Sequence, residues 1–368
     1  MRKVQFFNYP HVFDSNKEKF LSIFKEVGSR GAFIMQKDLV EFENQLAEYT
    51  GAGFAVGVGN ATDALELLLK AGGIGEGDEV IFCSHTMMAT ASAIYFNGAT
   101  PIPVEAGPDH LIDPDSVKAA ITSKTKAIMP TQLNGRTCNM DKILAIAKEN
   151  NLLIFEDSAQ ALGSRYKGKH AGTFGIGGCI SFYPAKVLGC FGDGGAVICD
   201  DEKIYKKLIL LRDHGRSPDT GEVLLWGRNS RLDNLQAALL AYQLNSYQKT
   251  IDRRRELASI YQERLGDIDK LALPPAPNSD PDHYDIYQNY EIEAENRDGL
   301  KSFLADNGVG SIIQWGGKAV HQFTNLGFSQ SLPYTEKLFE RMLMLPMNLS
   351  LSNDDVNYVC DCICKFYS

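Results

Sequence analysis

No apolar run in the 368-residue chain reaches the roughly 18 residues that a membrane-spanning helix requires. The amino-terminal stretch Met1-Arg2-Lys3-Val4-Gln5-Phe6-Phe7-Asn8-Tyr9-Pro10 lacks the apolar core and small-residue cleavage site of a secretory signal. The cytoplasm is therefore the expected compartment, with no membrane partner. Basic runs are also missing. A formal charge of −9 and a pI of about 5.4 argue against a nucleic-acid partner, although a local basic pocket can still take an anionic substrate. The eight cysteines lack the spacing of a disulfide framework. Cys83, Cys179, Cys190 and Cys199 lie in or beside apolar segments, where cysteine acts as a small hydrophobe. Cys360-Asp361-Cys362-Ile363-Cys364 has alternate spacing rather than the CxxC of a zinc site, so no metal is expected. Internal repeats and low-complexity tracts are absent.

What is present is an alternation of strand-like and helical segments. Strands are predicted at 54–58, 79–83, 100–104, 125–129, 152–155, 179–182 and 196–199. Helices are predicted at 17–27, 39–49, 62–71, 88–97, 114–120, 140–150 and 202–212. Such alternation implies right-handed crossovers and an α/β fold, a mostly parallel seven-stranded sheet sandwiched by helices. The chain is too long for one core. A large domain over 1–245 and a smaller α/β C-terminal domain over 246–368 are expected, with residues 1 to about 30 packing on the small one. A long helix over 231–249 leads from one to the other. The proline-rich Pro274-Pro275-Ala276-Pro277 loop opens the second, which holds a strand at 290–294, a helix at 297–307, an extended 311–315 and a closing helix at 353–367.

One lysine stands apart. In Ser181-Phe182-Tyr183-Pro184-Ala185-Lys186-Val187-Leu188-Gly189, no other charge lies within six residues of Lys186. Partial desolvation lowers a lysine pKa and makes its amine a nucleophile for a carbonyl. The plainer alternative is a stem that covers apolar surface while the head stays wet. Two other segments bear on this choice. Ile154-Phe155-Glu156-Asp157-Ser158-Ala159-Gln160 reads as a buried parallel strand delivering polar groups at its C-terminal end. A carboxylate there can hold a protonated heterocyclic nitrogen, with Gln160 reaching an adjacent ring oxygen. Gly57-Val58-Gly59-Asn60-Ala61-Thr62-Asp63 leads into an amphipathic helix whose free N–H groups and dipole favour a phosphate. Phosphate cradle, strand-end aspartate and desolvated lysine are the set pyridoxal 5'-phosphate requires.

These segments, together with Gly77-Asp78-Glu79-Val80, Arg212-Asp213-His214-Gly215 and Gly227-Arg228-Asn229-Ser230-Arg231-Leu232-Asp233, occur in an order that resembles the pyridoxal-phosphate-dependent sugar aminotransferases of DegT/StrS type over nearly the whole chain. The resemblance implies the fold type I architecture of aspartate aminotransferase. It casts Lys186 as the Schiff-base lysine and proton carrier, Asp157 as partner of the pyridine nitrogen, and Gln160 as partner of the phenolic oxygen. Ala61, Thr62 and Ser181 become phosphate contacts, and Met87 takes the place of the usual ring over the cofactor. Asn229 would reach the phosphate of a second subunit, which implies a homodimer with shared sites. Arg231, Gln314, Trp315 and His321 become candidate substrate contacts. Asp157 and Thr62 also suit plain helix N-caps, and Asn229 an ordinary loop.

The resemblance further implies L-glutamate as amino donor and a keto-sugar as acceptor. The pattern departs from the family in the substrate pocket: Gln314-Trp315-Gly316 replaces His-Tyr-Pro, and Pro346-Met347-Asn348 replaces Pro-Met-His. Two acceptor classes follow. One is a nucleotide-linked ketohexose. The other is the 8-oxo form of 3-deoxy-manno-octulosonate, aminated to 8-amino-3,8-dideoxy-manno-octulosonate for lipopolysaccharide. A non-catalytic regulatory binder of the cofactor is one alternative. A sugar dehydratase on the same scaffold is another, but it carries histidine where Lys186 stands.

Overall fold

A computed structural model of the chain describes residues 2–368. Its strands are β1 (Phe54–Val58), β2 (Glu79–Cys83), β3 (Thr100–Val104), β4 (Thr125–Met129), β5 (Leu153–Asp157), β6 (Arg165–Tyr166), β7 (Lys169–His170), β8 (Gly177–Ser181), β9 (Gly195–Cys199), β10 (Leu271–Ala272), β11 (His283–Tyr284), β12 (Tyr290–Ala294) and β13 (Met342–Leu345). Seven of them form the central sheet in the order β1-β9-β8-β5-β4-β2-β3. Strands β3, β2, β4, β5 and β8 run parallel, and β9 runs antiparallel to both β1 and β8. Two three-stranded sheets, β10-β12-β13 and β11-β6-β7, complete the set.

The parallel strands are apolar on both faces because helices cover both. In β2, Val80 and Phe82 join one core with Leu65, Leu67 and Leu68 of helix Ala61–Ala71. Ile81 and Cys83, which point the other way, join a second core with Ile143 and Ile146 of helix Met140–Asn150. A third core packs Leu39, Phe42 and Leu46 of helix Lys37–Thr50 on Ile180 and Ile198. The C-terminal sheet has its own core, built from Tyr261, Tyr290, Leu300, Leu343, Val356 and Ile363.

Three expectations change. The helix anticipated over 231–249 is two helices, Asn234–Leu244 and Tyr247–Leu265. Asn245 and Ser246 part them: Ser246 leaves helical geometry at φ −115°, ψ 11°, while the Asn245 amide donates back to the Ala241 carbonyl. The extended 311–315 is no strand. Ile312 makes a single bridge to Met344, and positive φ at Trp315 (47°) and Gly316 (69°) then turns the chain. Helix Pro333–Arg341 and strand β13 had no counterpart in the sequence reading. At the amino terminus the lead and the first long helix part company. Val4 bridges Val309 and enters the C-terminal core, whereas Phe20, Ile23 and Val27 of helix Lys17–Ser29 pack on Leu239. No helix among the described residues is long and apolar enough to cross a membrane.

Candidate active site

A cavity of about 510 Å3 opens where β5 and β8 end and helix Ala61–Ala71 begins, the usual ligand position in an open α/β sheet. Ala61, Thr62, Met87, Asp157 and Gln160 line it, as do Ser181, Lys186, Gln314 and Trp315.

At the helix start, the Asn60 side chain caps the N–H of Asp63 at 2.9 Å, which leaves the first-turn N–H groups of Ala61 and Thr62 without helical partners. Gly195 makes this close fit possible. A Cβ there would lie 2.6 Å from the Asn60 carbonyl carbon and 2.8 Å from the Ala61 nitrogen. A helix terminus with two free N–H groups is a ready phosphate cradle. The Ser181 side chain, at the end of β8, stands beside it.

Asp157 closes β5 and is buried. Its Oδ2 accepts from Thr90 Oγ1 at 2.6 Å, and its Oδ1 accepts from the Ala159 N–H at 3.2 Å and from Cys179 Sγ at 3.4 Å. Behind Thr90 stands a file of buried hydroxyls: Thr131 Oγ1 donates to Thr86 Oγ1 at 3.0 Å, and Thr86 and Thr90 are 2.9 Å apart. Donors thus converge on a carboxylate that faces a cavity, an arrangement that orients it toward a bound ligand.

Lys186 is half-buried at the cavity wall. Burial pushes its amine below the usual lysine range, and the Asp157 carboxylate only partly offsets this. No protein group among the described residues hydrogen-bonds that amine. Its backbone, by contrast, is held tightly. Gln288 donates through Nε2 to the Ala185 carbonyl at 2.8 Å and accepts through Oε1 from the Val187 N–H at 2.9 Å.

Gln160, Asn134, Asn289 and Gln314 form the remaining polar wall. Gln160 Oε1 accepts from the Asn134 N–H at 2.9 Å and from Asn289 Nδ2 at 3.2 Å, so its Nε2 is the group left to donate into the cavity. Gln314 donates to Asn134 Oδ1 at 3.0 Å, while its buried Oε1 has no partner. A buried acceptor left open is costly unless a ligand supplies the donor.

Three candidates fall outside the cavity. Asn229 is exposed, in the loop that bridges Asp213. Arg231 pairs with Asp213 at 2.8 Å in that same loop. His321 is a correction: it is buried and does not line the cavity. Its Nδ1 is hydrogen-bonded with Ser84 Oγ at 2.7 Å, and its Nε2 lies 3.2 Å from Glu336, so both ring nitrogens are engaged away from the cavity. Thr86, Thr90, Thr131, Asn134, Gln288 and Asn289 went unnoticed in the sequence because nothing in their spacing links them to Lys186 or Asp157.

The residues present fit pyridoxal phosphate. Free N–H groups stand at one end of the cavity, an ordered carboxylate lies at its base, and an unpaired amine sits on its wall. Among the described residues no cluster suits a metal ion.

Comparison with known proteins agrees. The DegT/DnrJ/EryC1/StrS aminotransferase family profile matches residues 14–364. The chain is 36% identical over 363 residues to a pleiotropic regulatory protein of Geobacillus stearothermophilus, covering 96% of each. It is 37% identical over 339 residues to the dTDP-3-amino-3,4,6-trideoxy-alpha-D-glucose transaminase of Streptomyces venezuelae, covering 90% of this chain and 88% of that one. The fold superposes on S. venezuelae DesV, solved in complex with a ketimine intermediate, with a TM-score of 0.95 at 34% identity, covering 100% and 99% of the two chains. The chain belongs to the DegT/DnrJ/EryC1/StrS aminotransferase family, the pyridoxal-phosphate-dependent sugar aminotransferases.

Proposed function

We propose that the protein transfers an amino group from L-glutamate to a nucleotide-linked keto-sugar. The observation that carries this reading is the Lys186 amine: unpaired, depressed by burial, and facing the same cavity as Asp157. Bound pyridoxal phosphate supplies the electron sink that makes a C–H bond beside nitrogen breakable. This chain's residues do the rest. Asp157, fixed by Thr90, holds the proton on the ring nitrogen. Ala61 and Thr62 N–H groups and Ser181 would hold the phosphate, Gln160 Nε2 would donate to the phenolic oxygen, and Met87 would pack its thioether on the ring.

Transfer proceeds in two halves. Glutamate leaves as its 2-oxo acid before the sugar enters. The Lys186 amine takes a proton from the donor carbon in the first half and returns one to the sugar carbon in the second. Asn229, held out by the loop that Arg231 and Asp213 pin, completes the phosphate site of a second copy, so the active unit is a homodimer. Gln314 and Trp315, which line the cavity, are the side chains placed to meet the acceptor. A nucleotide-linked acceptor is favoured by the dTDP-linked amino sugar in the name of the S. venezuelae relative. The departures at Gln314-Trp315-Gly316 are what keep the octulosonate acid as the second acceptor to test.

The test is an acceptor screen. Protein converted to its pyridoxamine-loaded form is mixed with nucleotide-linked ketohexoses, and separately with 8-oxo-3-deoxy-manno-octulosonate. Return of the yellow form with a nucleotide-linked sugar supports the proposal. Return with the sugar acid alone, or with neither, contradicts it.

A further inference from the structure

Beside the active-site cavity lies a second one, of about 440 Å3, between the amino-terminal lead, the Lys186 loop and helix Tyr247–Leu265. The two share Phe7, Tyr183, Ala185 and Lys186, and otherwise have different walls. The second wall contains no Asp or Glu, although the chain carries 46 acids against 37 Lys and Arg. It does contain Arg254, Lys186 and His11.

Arg254 is the telling residue. It is only 6% exposed, yet no carboxylate pairs with it among the described residues. Its Nε donates to the Tyr287 carbonyl at 2.7 Å and its Nη2 to the Gln288 carbonyl at 2.6 Å. Nη1 has no protein acceptor. Burial pushes the guanidinium down to about 10, with no nearby carboxylate to offset it. Buried charges are ordinarily paired, because desolvation without a counter-charge is costly. One turn earlier on the same helix stands Thr250, whose hydroxyl also lacks a partner, and the His11 ring across the cavity is likewise free.

We infer that this cavity is a binding site for a small carboxylate anion, held by Arg254 Nη1 and the Thr250 hydroxyl with His11 at its edge. One unpaired positive charge is matched by one carboxylate, whose two oxygens suit one guanidinium N–H and one hydroxyl. The inference goes beyond the amino-transfer reading, since neither Arg254 nor Thr250 lines the active-site cavity.

Calorimetric titration of the holoenzyme with succinate at matched ionic strength tests it, with succinamide as the neutral control. Thr250→Glu places a carboxylate four residues ahead of Arg254 on one helix face and so fills the site from within. Arg254→Gln keeps a donor for the two carbonyls and removes the charge. Wild-type protein is expected to bind succinate saturably and to ignore succinamide. Thr250→Glu should weaken succinate binding about tenfold or more and melt at a higher temperature, and Arg254→Gln should abolish binding. No saturable binding to wild type, binding of succinamide as strong as succinate, or equal binding in wild type and either variant overturns the assignment. Glutamate-driven bleaching of the cofactor is a separate readout, so failure here and failure of the amino-transfer reading are told apart.

Discussion

Gln288 brackets Lys186, bonding the carbonyl of the residue before it and the N–H of the residue after it at 2.8 and 2.9 Å. The bracket comes from the segment just ahead of β12, over a hundred residues along the chain. It is anchored in turn by Arg254 on the Gln288 carbonyl. The Lys186 backbone is thus fixed while its side chain stays free, the division that the proposed role of its amine would need. Gln288→Ala should leave cofactor binding and its visible absorption in place but lower kcat by up to about a hundredfold, the scale of a misplaced catalytic group. Steady-state rates measured beside the absorption spectrum check this.

Asp157 depends on Thr90 in a similar way. Thr90→Val removes a donor from a buried carboxylate oxygen. A hydrogen bond to a charged group contributes about 1.5–3 kcal/mol, so the variant should lose stability of that order and melt at a lower temperature. Thr131→Val, two hydroxyls further back, should cost less. Thermal unfolding of both variants gives the ranking.

Gly195→Ala tests the cradle. The added Cβ would meet the Asn60 carbonyl and the Ala61 nitrogen under 3 Å, displacing the N–H groups proposed to hold phosphate. Cofactor affinity should fall about tenfold or more, measured by titrating apoprotein with pyridoxal phosphate.

A pH dependence follows from the junction between the central sheet and the β10-β12-β13 sheet. Burial alone pushes the His110 imidazolium down. Hydrogen bonds and charge from Glu291, 2.7 Å away, and Glu293 more than offset this and raise it to about 9. His85 shares the same Glu291 carboxylate at 3.4 Å. Because the folded value lies above the ordinary histidine value of roughly 6.5, the stabilisation is fully present below that pH and is lost as pH rises through about 9. His110→Gln should flatten the decline in melting temperature across this window.

Strong local patterns were readable from sequence. The strands at 54–58, 79–83, 100–104 and 125–129, and the helices at 140–150, 202–212 and 353–367, fall where the apolar period places them. Nine of the candidate residues line one cavity: Ala61, Thr62, Met87, Asp157 and Ser181 sit at a helix start or a strand end, positions that sequence marks well, whereas Gln160, Lys186, Gln314 and Trp315 reach it from turns. The remainder depends on tertiary neighbours. The break at Asn245–Ser246 lies inside an unbroken helical pattern. Helix Pro333–Arg341 and β13 adjoin with no intervening turn residue to separate their periods. Thr90, Thr131, Gln288 and Arg254 take their roles from contacts 26 to 103 residues away, as Thr131 on Thr86 and Gln288 on Ala185 illustrate, Thr131 itself lying 26 residues from Asp157 by isolated bridge. His321 shows the converse error. A histidine near the expected place turned out to be bonded on both nitrogens away from the cavity.

The most direct measurement is the first half-reaction. Purified yellow protein is mixed with L-glutamate alone in a spectrophotometer, beside Lys186→Ala loaded with the same cofactor. The expected result is loss of the yellow band with formation of 2-oxoglutarate in the wild type and no change in the variant. A wild-type spectrum that glutamate leaves unchanged, or a Lys186→Ala protein that bleaches at the same rate, would contradict the assignment of Lys186 as the amine that moves the proton.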